Sequence, residues 1–326
     1  MLKTFSAGEY SKRREVFAYI SLFFCMITYG ASFLAMKVVL FEYSPTSTMM
    51  FRMLIASLVF MPFMATVYRN IRIRKQDVGL LFLMTLCEPC LYFLLEANAL
   101  NLTTASQAGI VYSMLPLFIT LGAIIVLREK VPLAAFGGFL IAIIGSVMLS
   151  CDSAATEIAP KPILGNTLEF FAVIMTTVSI ITTKYLMEKY PPFFLAGFQT
   201  VSGAIFFTLL NFIQGNSFHI NLTMTLFVIV YLGIVTVSDY ALYNFAMCSL
   251  SASKASAFLY LQPVFAIFFG VVFLNEFLTP LQIVAVFLIF TGLILSQKKM
   301  LVKARRIARS IRHTIRKDIR STKVNK

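Results

Sequence analysis

Tryptophan is absent from this chain of 326 residues, histidine occurs only twice, cysteine five times, and charged residues make up just 13%. Each scarcity excludes something. With 59% hydrophobic residues and a mean hydropathy of +0.84, the apolar surface exceeds what a soluble core can bury, because interior volume grows too slowly with chain length. The histidines, His219 in a short loop and His313 in a basic segment, form no catalytic or metal-binding group. Cys87-Glu-Pro-Cys90 spells C-x-x-C, but it lies inside an apolar run without a second ligand pair, and reads as packing. No glycine-rich phosphate loop with its lysine occurs, which argues against direct ATP hydrolysis. The expectation is therefore a protein that is not an enzyme and carries no metal and no cofactor.

What is present is a series of apolar runs of about 20 residues, each long enough to cross a ~30 Å hydrocarbon core. In lipid the backbone must satisfy its own hydrogen bonds, and runs this long and continuous do so as helices. The fold class is all-α, a polytopic membrane protein. Ten spans are expected near 16–40, 46–68, 78–97, 104–127, 131–150, 164–187, 191–214, 223–247, 253–274 and 278–297. Pro45, Pro132, Pro191, Pro192 and Pro280 sit at or just before helix starts, where a missing N–H costs nothing. The first run, Val16 to Met36, is too long for a signal-peptide core and is read as the first span.

Charge fixes the orientation. With the N-terminus inside, internal segments hold 23 of the 28 Lys and Arg, and external loops hold only Lys161. Both termini are expected to be cytoplasmic, in a cell (inner) membrane. The organisation reads as an N-tail over 1–15, a five-helix unit over 16–150, a linker over 151–163, a second unit over 164–297 and a basic tail over 298–326. In that tail Ile307, Ile311, Ile315 and Ile319 recur every fourth residue among cationic neighbours. The pattern suits either a helix lying on the anionic inner leaflet or a solvated basic tail, not a nucleic-acid arm.

The two units superpose at one offset of 147 residues. Lys37 falls on Lys184, Pro45 on Pro192, Ser106 on Ser253, Pro116 on Pro263, Glu129 on Glu276 and Gly145 on Gly292. Five spans per copy is an odd number, so the second copy enters from the opposite face. Such inverted repeats place a substrate site near the midplane where the copies meet.

The residues resemble those of the EamA family of the drug/metabolite transporter superfamily. Tyr29-Gly-Ala-Ser-Phe33, Phe51-Arg52, Ala99 to Ser106 and Ser113 to Phe118 carry the resemblance in the first copy. Ser251 to Ser256, Leu259 to Phe265 and Leu274-Asn-Glu276 carry it in the second. It implies ten helices, a central cavity lined by the third, fourth, eighth and ninth spans, and transport of small organic solutes. Tryptophan often helps to line such cavities, so its absence weighs by analogy against aromatic substrates.

Ionisable residues inside a span are costly and tend to face a wet cavity. Glu88, Tyr92 and Glu96, spaced by four, are expected on one face of the third span, with Asp239 and Tyr243 on one face of the eighth. Glu88 and Asp239 would bind a cationic or zwitterionic solute or carry a coupling proton, unless each is held by a neighbouring base. Gln107, Tyr112, Tyr260 and Gln262 could add hydrogen bonds, although tyrosines at helical spacing commonly pack. Pro116 and Pro263 free backbone carbonyls and would let the fourth and ninth spans bend during gating. Lys37 and Lys184 at symmetry-related helix ends read as snorkelling to headgroups. Lys254 reads the same way, or as a partner for a substrate carboxylate or phosphate. Arg52 needs a partner, and Glu129 and Glu276 read as structural carboxylates near helix N-termini. Gly137, Gly138, Gly145 and Gly292 would pack the repeats together or form a homodimer face.

Three functions compete. The first is secondary transport of a small polar metabolite such as an amino acid, an amine or an S-adenosylmethionine-like solute, driven by protons or exchange. The second is exchange of phosphorylated solutes, which requires several bases converging on the cavity. The third is a lipid-handling membrane protein, which would show a lateral groove or an interfacial His or Asp cluster.

Overall fold

The computed structural model describes residues 7–66, 71–127, 133–152, 155–216, 224–250 and 257–296, with the side chains of most of them from residue 15 onward. Among them the chain is all-helical, and its one β-bridge, between Thr156 and Ala159, lies in a loop. The helices are α1 (Ala7–Val39), α2 (Pro45–Thr66), α3 (Val78–Thr85), α4 (Tyr92–Leu102), α5 (Ala105–Tyr112), α6 (Leu115–Leu127), α7 (Leu133–Cys151), α8 (Pro162–Leu186), α9 (Pro192–Ile213), α10 (Met224–Ser249), α11 (Leu261–Leu274) and α12 (Pro280–Ser296). Among the described residues seven stretches are long and apolar enough to cross a membrane, and Leu140–Cys151, Leu261–Leu274 and Pro280–Gly292 are shorter apolar helices. Phe212, Ile213 and Phe277 are more than three-quarters exposed, as befits a surface facing hydrocarbon rather than water.

The prolines start helices where expected. Pro45, Pro192 and Pro280 are the first residues of α2, α9 and α12. Pro162 opens α8 in the same way. Pro132 lies outside the described residues.

The expected third span is not one α-helix. Between α3 and α4 a π-helical turn occupies Leu86–Leu91, and Glu88 within it is extended, at φ −149° and ψ 119°. Pro89 is the local reason, since its ring lacks an N–H and excludes the carbonyl four residues back. The fourth span also breaks, at Ser113 and Met114, with Pro116 in the first turn of α6. In the second half a 3₁₀ turn over Ala257–Tyr260 precedes α11, and Pro263 lies in the first turn of that helix.

Packing follows the 147-residue offset. α1 lies against α10 and α11, and α8 lies correspondingly against α3 and α4 and against α5 and α6. α2 packs on α9 and α7 on α12, each pairing equivalent segments of the two halves, and α5 packs on α11. Small residues permit the last crossing. A Cβ on Gly145 would come within 2.8 Å of the Ala285 carbonyl oxygen, and one on Gly292 within 2.4 Å of the Gly138 carbonyl oxygen. These glycines pack the halves together within the chain. Gly137, by contrast, has open space around it.

Candidate functional site

Where the two halves meet, a polar cavity with two lobes opens among α1, α5, α8, α10 and the π-helical turn. Both lobes are narrow, each leaving about 30 Å³ for the centre of a water-sized sphere. Tyr29, Glu88, Tyr112 and Tyr240 line both lobes and form the neck between them. The first lobe runs toward the C-terminal ends of α8 and α10, past Thr176, Thr183, Lys184 and Asn244. The second is lined by Arg52, Tyr92, Glu96, Thr236, Asp239 and Gln262, among others.

Glu88 reaches the neck because the helix is broken around it. It does not stack beneath Tyr92 and Glu96 on one α-helical face, which corrects the reading from spacing, yet all three side chains line the second lobe. The Tyr240 hydroxyl donates to the Glu88 carboxylate at 3.4 Å, and Gln199 Nε2 donates to the Glu88 carbonyl at 3.1 Å. Asp239, 1% exposed, accepts from Thr28 Oγ1 at 2.6 Å on one oxygen, and its other oxygen has no hydrogen-bond partner. Neither carboxylate has a Lys or Arg within 4.0 Å among the described residues.

Glu96 differs. It accepts a hydrogen bond from Tyr92 OH and lies 3.9 Å from Arg52 Nη1. Arg52 is 3% exposed, donates from Nε to Thr236 Oγ1 at 2.7 Å and places Cζ 4.4 Å from the Phe93 ring centre. This is the partner that a buried guanidinium requires. Aromatic contacts frame the neck, with Tyr29 against Tyr243 at 6.4 Å and Tyr92 against Tyr112 at 6.0 Å between ring centres.

Of the residues expected to line a cavity, Glu88, Tyr92, Glu96, Tyr112, Asp239, Tyr243 and Gln262 line one lobe or both. The Tyr260 side chain and all of Lys254 lie outside the described residues. Gln107 lines neither lobe, because its side-chain oxygen accepts from Thr103 at 2.9 Å and from Asn166 at 3.1 Å. Thr176, Gln199 and Tyr240 line a lobe without having been singled out, and Tyr29, noted only for the resemblance, lines both. Neutral hydroxyls and amides in apolar runs carry no signal comparable to a charge.

A further correction concerns one of the two symmetry-related lysines. Lys37 does not reach for headgroups: it is 3% exposed, and its ammonium donates to the carbonyls of Leu100, Thr103 and Ile158. Those carbonyls surround the C-terminus of α4, where partial negative charge collects. Lys184, at the equivalent position, lines the first lobe. Glu276 is structural, but across the halves, since its carboxylate accepts from Ala105 N and Ser106 N at 2.8 Å each and caps α5. Outside the cavity, Lys189 donates to Asp77 at 2.6 Å, and this bond holds the ammonium above its ordinary pKa.

Comparison with known proteins places the chain in a family. Residues 16–151 and 163–297 each match the profile of the EamA-like transporter family. The chain is 24% identical to the uncharacterized transporter YetK of Bacillus subtilis, with 83% of each chain covered. It is equally 24% identical to an uncharacterized transporter of Methanothermobacter thermautotrophicus, with 87% of each covered. A solved crystal structure superposes with a TM-score of 0.62 at 18% identity, covering 91% of this chain and 99% of the other, which speaks to fold alone.

Proposed function

The chain belongs to the EamA-like transporter family, and from that premise we propose that it is a secondary active transporter of a small, amine-bearing polar metabolite, working by alternating access. The observation that carries the solute class is the pair of carboxylates, Asp239 buried and Glu88 half-buried, lining the cavity with no base within 4.0 Å among the described residues. An unpaired carboxylate in a low-dielectric site attracts an ammonium more strongly than one in water. Hydroxyls of Tyr29, Tyr112, Tyr240 and Tyr243 supply orienting hydrogen bonds around it.

Ten helices in two inverted five-helix copies complete the reading. It is supported by the seven long and three shorter apolar helices, by the double family match and by the exchange of helix contacts under the 147-residue offset. With both termini cytoplasmic, the first lobe runs toward the inner face. On the outer side, Lys37 and Glu276 tie helix ends together. Phosphorylated solutes fit less well, because among the described residues Arg52 is already engaged by Thr236 and Glu96 and Lys184 is the other base lining the lobes.

Uptake into proteoliposomes of a labelled panel (amino acids, polyamines, S-adenosylmethionine and phosphosugars), with and without a pH gradient, tests the reading. Saturable uptake of an amine-bearing solute is expected, with KM raised about tenfold or more in Glu88→Gln or Asp239→Asn, the weight of one charged hydrogen bond. Uptake of phosphosugars alone, with both variants fully active, would replace this reading with the exchanger.

A further inference from the structure

Behind the second lobe lies a carboxylate that the transport reading does not use. Glu169, on α8, is 0% exposed, and neither of its oxygens has a hydrogen-bond partner among the described residues. No Lys or Arg stands within 4.0 Å of it among the described residues. The groups that act on it electrostatically are Glu96 and Tyr92 of α4 and Tyr112 of α5, all three of which line the second lobe. Of the other elements packed on α8, α3 and α6 carry no titratable side chain and α7 has only Cys151, at its last residue. The π-helical turn offers Cys87, Glu88 and Cys90.

The repeat supplies an internal control. The position equivalent to Glu169 in the first half is Leu22, also 0% exposed. A leucine therefore fills this place in the fold, and packing gives no reason for an acid. An ionised carboxylate with no donor around it costs several kcal/mol to bury, whereas the neutral acid costs far less. Glu96 beside it is held by Tyr92 and Arg52 and adds negative charge to the same site. Two carboxylates sharing one site do not readily both ionise.

We propose that Glu169 is the proton-binding carboxylate that couples solute movement to a pH gradient, exchanging its proton with the cavity past Tyr92 and Glu96. It rests on the transport reading and separates the ion site from the solute site at Glu88 and Asp239. In the conformation described here the group is shut away from water and carries its proton. Loading and release occur when the cavity admits water to the Tyr92–Glu96 pair, a water proton joining the carboxylate on one side and leaving it on the other.

Two measurements on the full-length protein test it. Infrared difference spectra of wild type in lipid, between acidic and alkaline buffer, should show a buried carboxylic-acid carbonyl band. That band should vanish in Glu169→Gln and Glu169→Leu but persist in Glu88→Gln and Asp239→Asn; persistence in both Glu169 variants overturns the assignment. Thermal stability of Glu169→Leu should equal or exceed wild type, and a marked loss would make Glu169 a structural residue instead. In proteoliposomes one coupled proton supports about tenfold accumulation per pH unit. Glu169→Gln should reduce that ratio to about one while keeping solute counterflow, and gradient-driven accumulation retained in this variant also overturns the proposal. Full transport by Glu88→Gln and Asp239→Asn would instead remove the solute-site reading and leave Glu169 standing, because the infrared band requires no solute.

Discussion

The ends of α1 and α8 are equivalent in the repeat and differ in what they do. At the first, Lys37 is buried and its ammonium donates to the carbonyls of Leu100, Thr103 and Ile158. At the second, Lys184 lines the cavity. Further along the same helices Leu22 is matched by Glu169, a filler by an unpartnered acid. Duplication has thus kept the shape of the two halves and let the chemistry diverge. The leucine–glutamate difference lies in the covalent chain and persists in every conformation.

If the crossing of α7 and α12 is the fixed part of this arrangement, crowding it should have the largest effect. Gly292→Val and Gly145→Val place side-chain atoms against backbone of the other half. Each should cost about 1–3 kcal/mol or more and remove most of the monodisperse peak on size exclusion. Gly137→Val, with open space around it, should elute as wild type; equal behaviour of all three would break the comparison.

Next in size is Lys37→Met, which removes charged hydrogen bonds worth about 1.5–3 kcal/mol each in favourable cases and strands their carbonyls. A clear fall in the thermal midpoint is expected. Lys184→Met should show itself chiefly in the KM for uptake, and matching stability losses in the two variants would erase the asymmetry. A smaller effect, about 1 kcal/mol, is expected for Glu276→Gln, which keeps an acceptor for α5 but loses the charge that complements its dipole. The same midpoint assay reads it, and no change would mean that the cap on α5 contributes nothing.

Smallest is Asp77→Asn, at the tie between Lys189 and the start of α3. Because Asp77 raises the Lys189 pKa, the tie is fully present below the ordinary lysine value of 10.5 and is lost as pH rises through the raised one. Between neutral and mildly alkaline pH the wild-type midpoint should therefore hold steady with respect to this pair. Added salt should narrow the small gap between wild type and Asp77→Asn, and a gap unaffected by salt would mean that the pair contributes by shape rather than charge.

Much of the site was legible in the residues themselves. Glu88 and Asp239 stand out because a charge in an apolar run is rare and costly, and both line the cavity. Glu169 satisfies the same rule but has no polar counterpart in the first half, so attention to matched positions passes over it. Gln107 and Tyr240 show the opposite difficulty. Both are polar residues in apolar runs, yet one closes on Thr103 and Asn166 and the other points at Glu88. Nothing in their neighbourhood along the chain distinguishes them.

Composition, apolar run length and the 147-residue offset determine by themselves that this chain is helical, belongs in a membrane and is built twice from one plan. Those properties follow from local costs: unsatisfied backbone in lipid, buried charge, and prolines that can only begin or break helices. Tertiary structure alone decided that Lys37 is caged by carbonyls and that Glu276 caps a helix of the other half. Each of these depends on groups distant in sequence meeting within about 3 Å, the reach of a hydrogen bond, and residue spacing along the chain does not encode that distance.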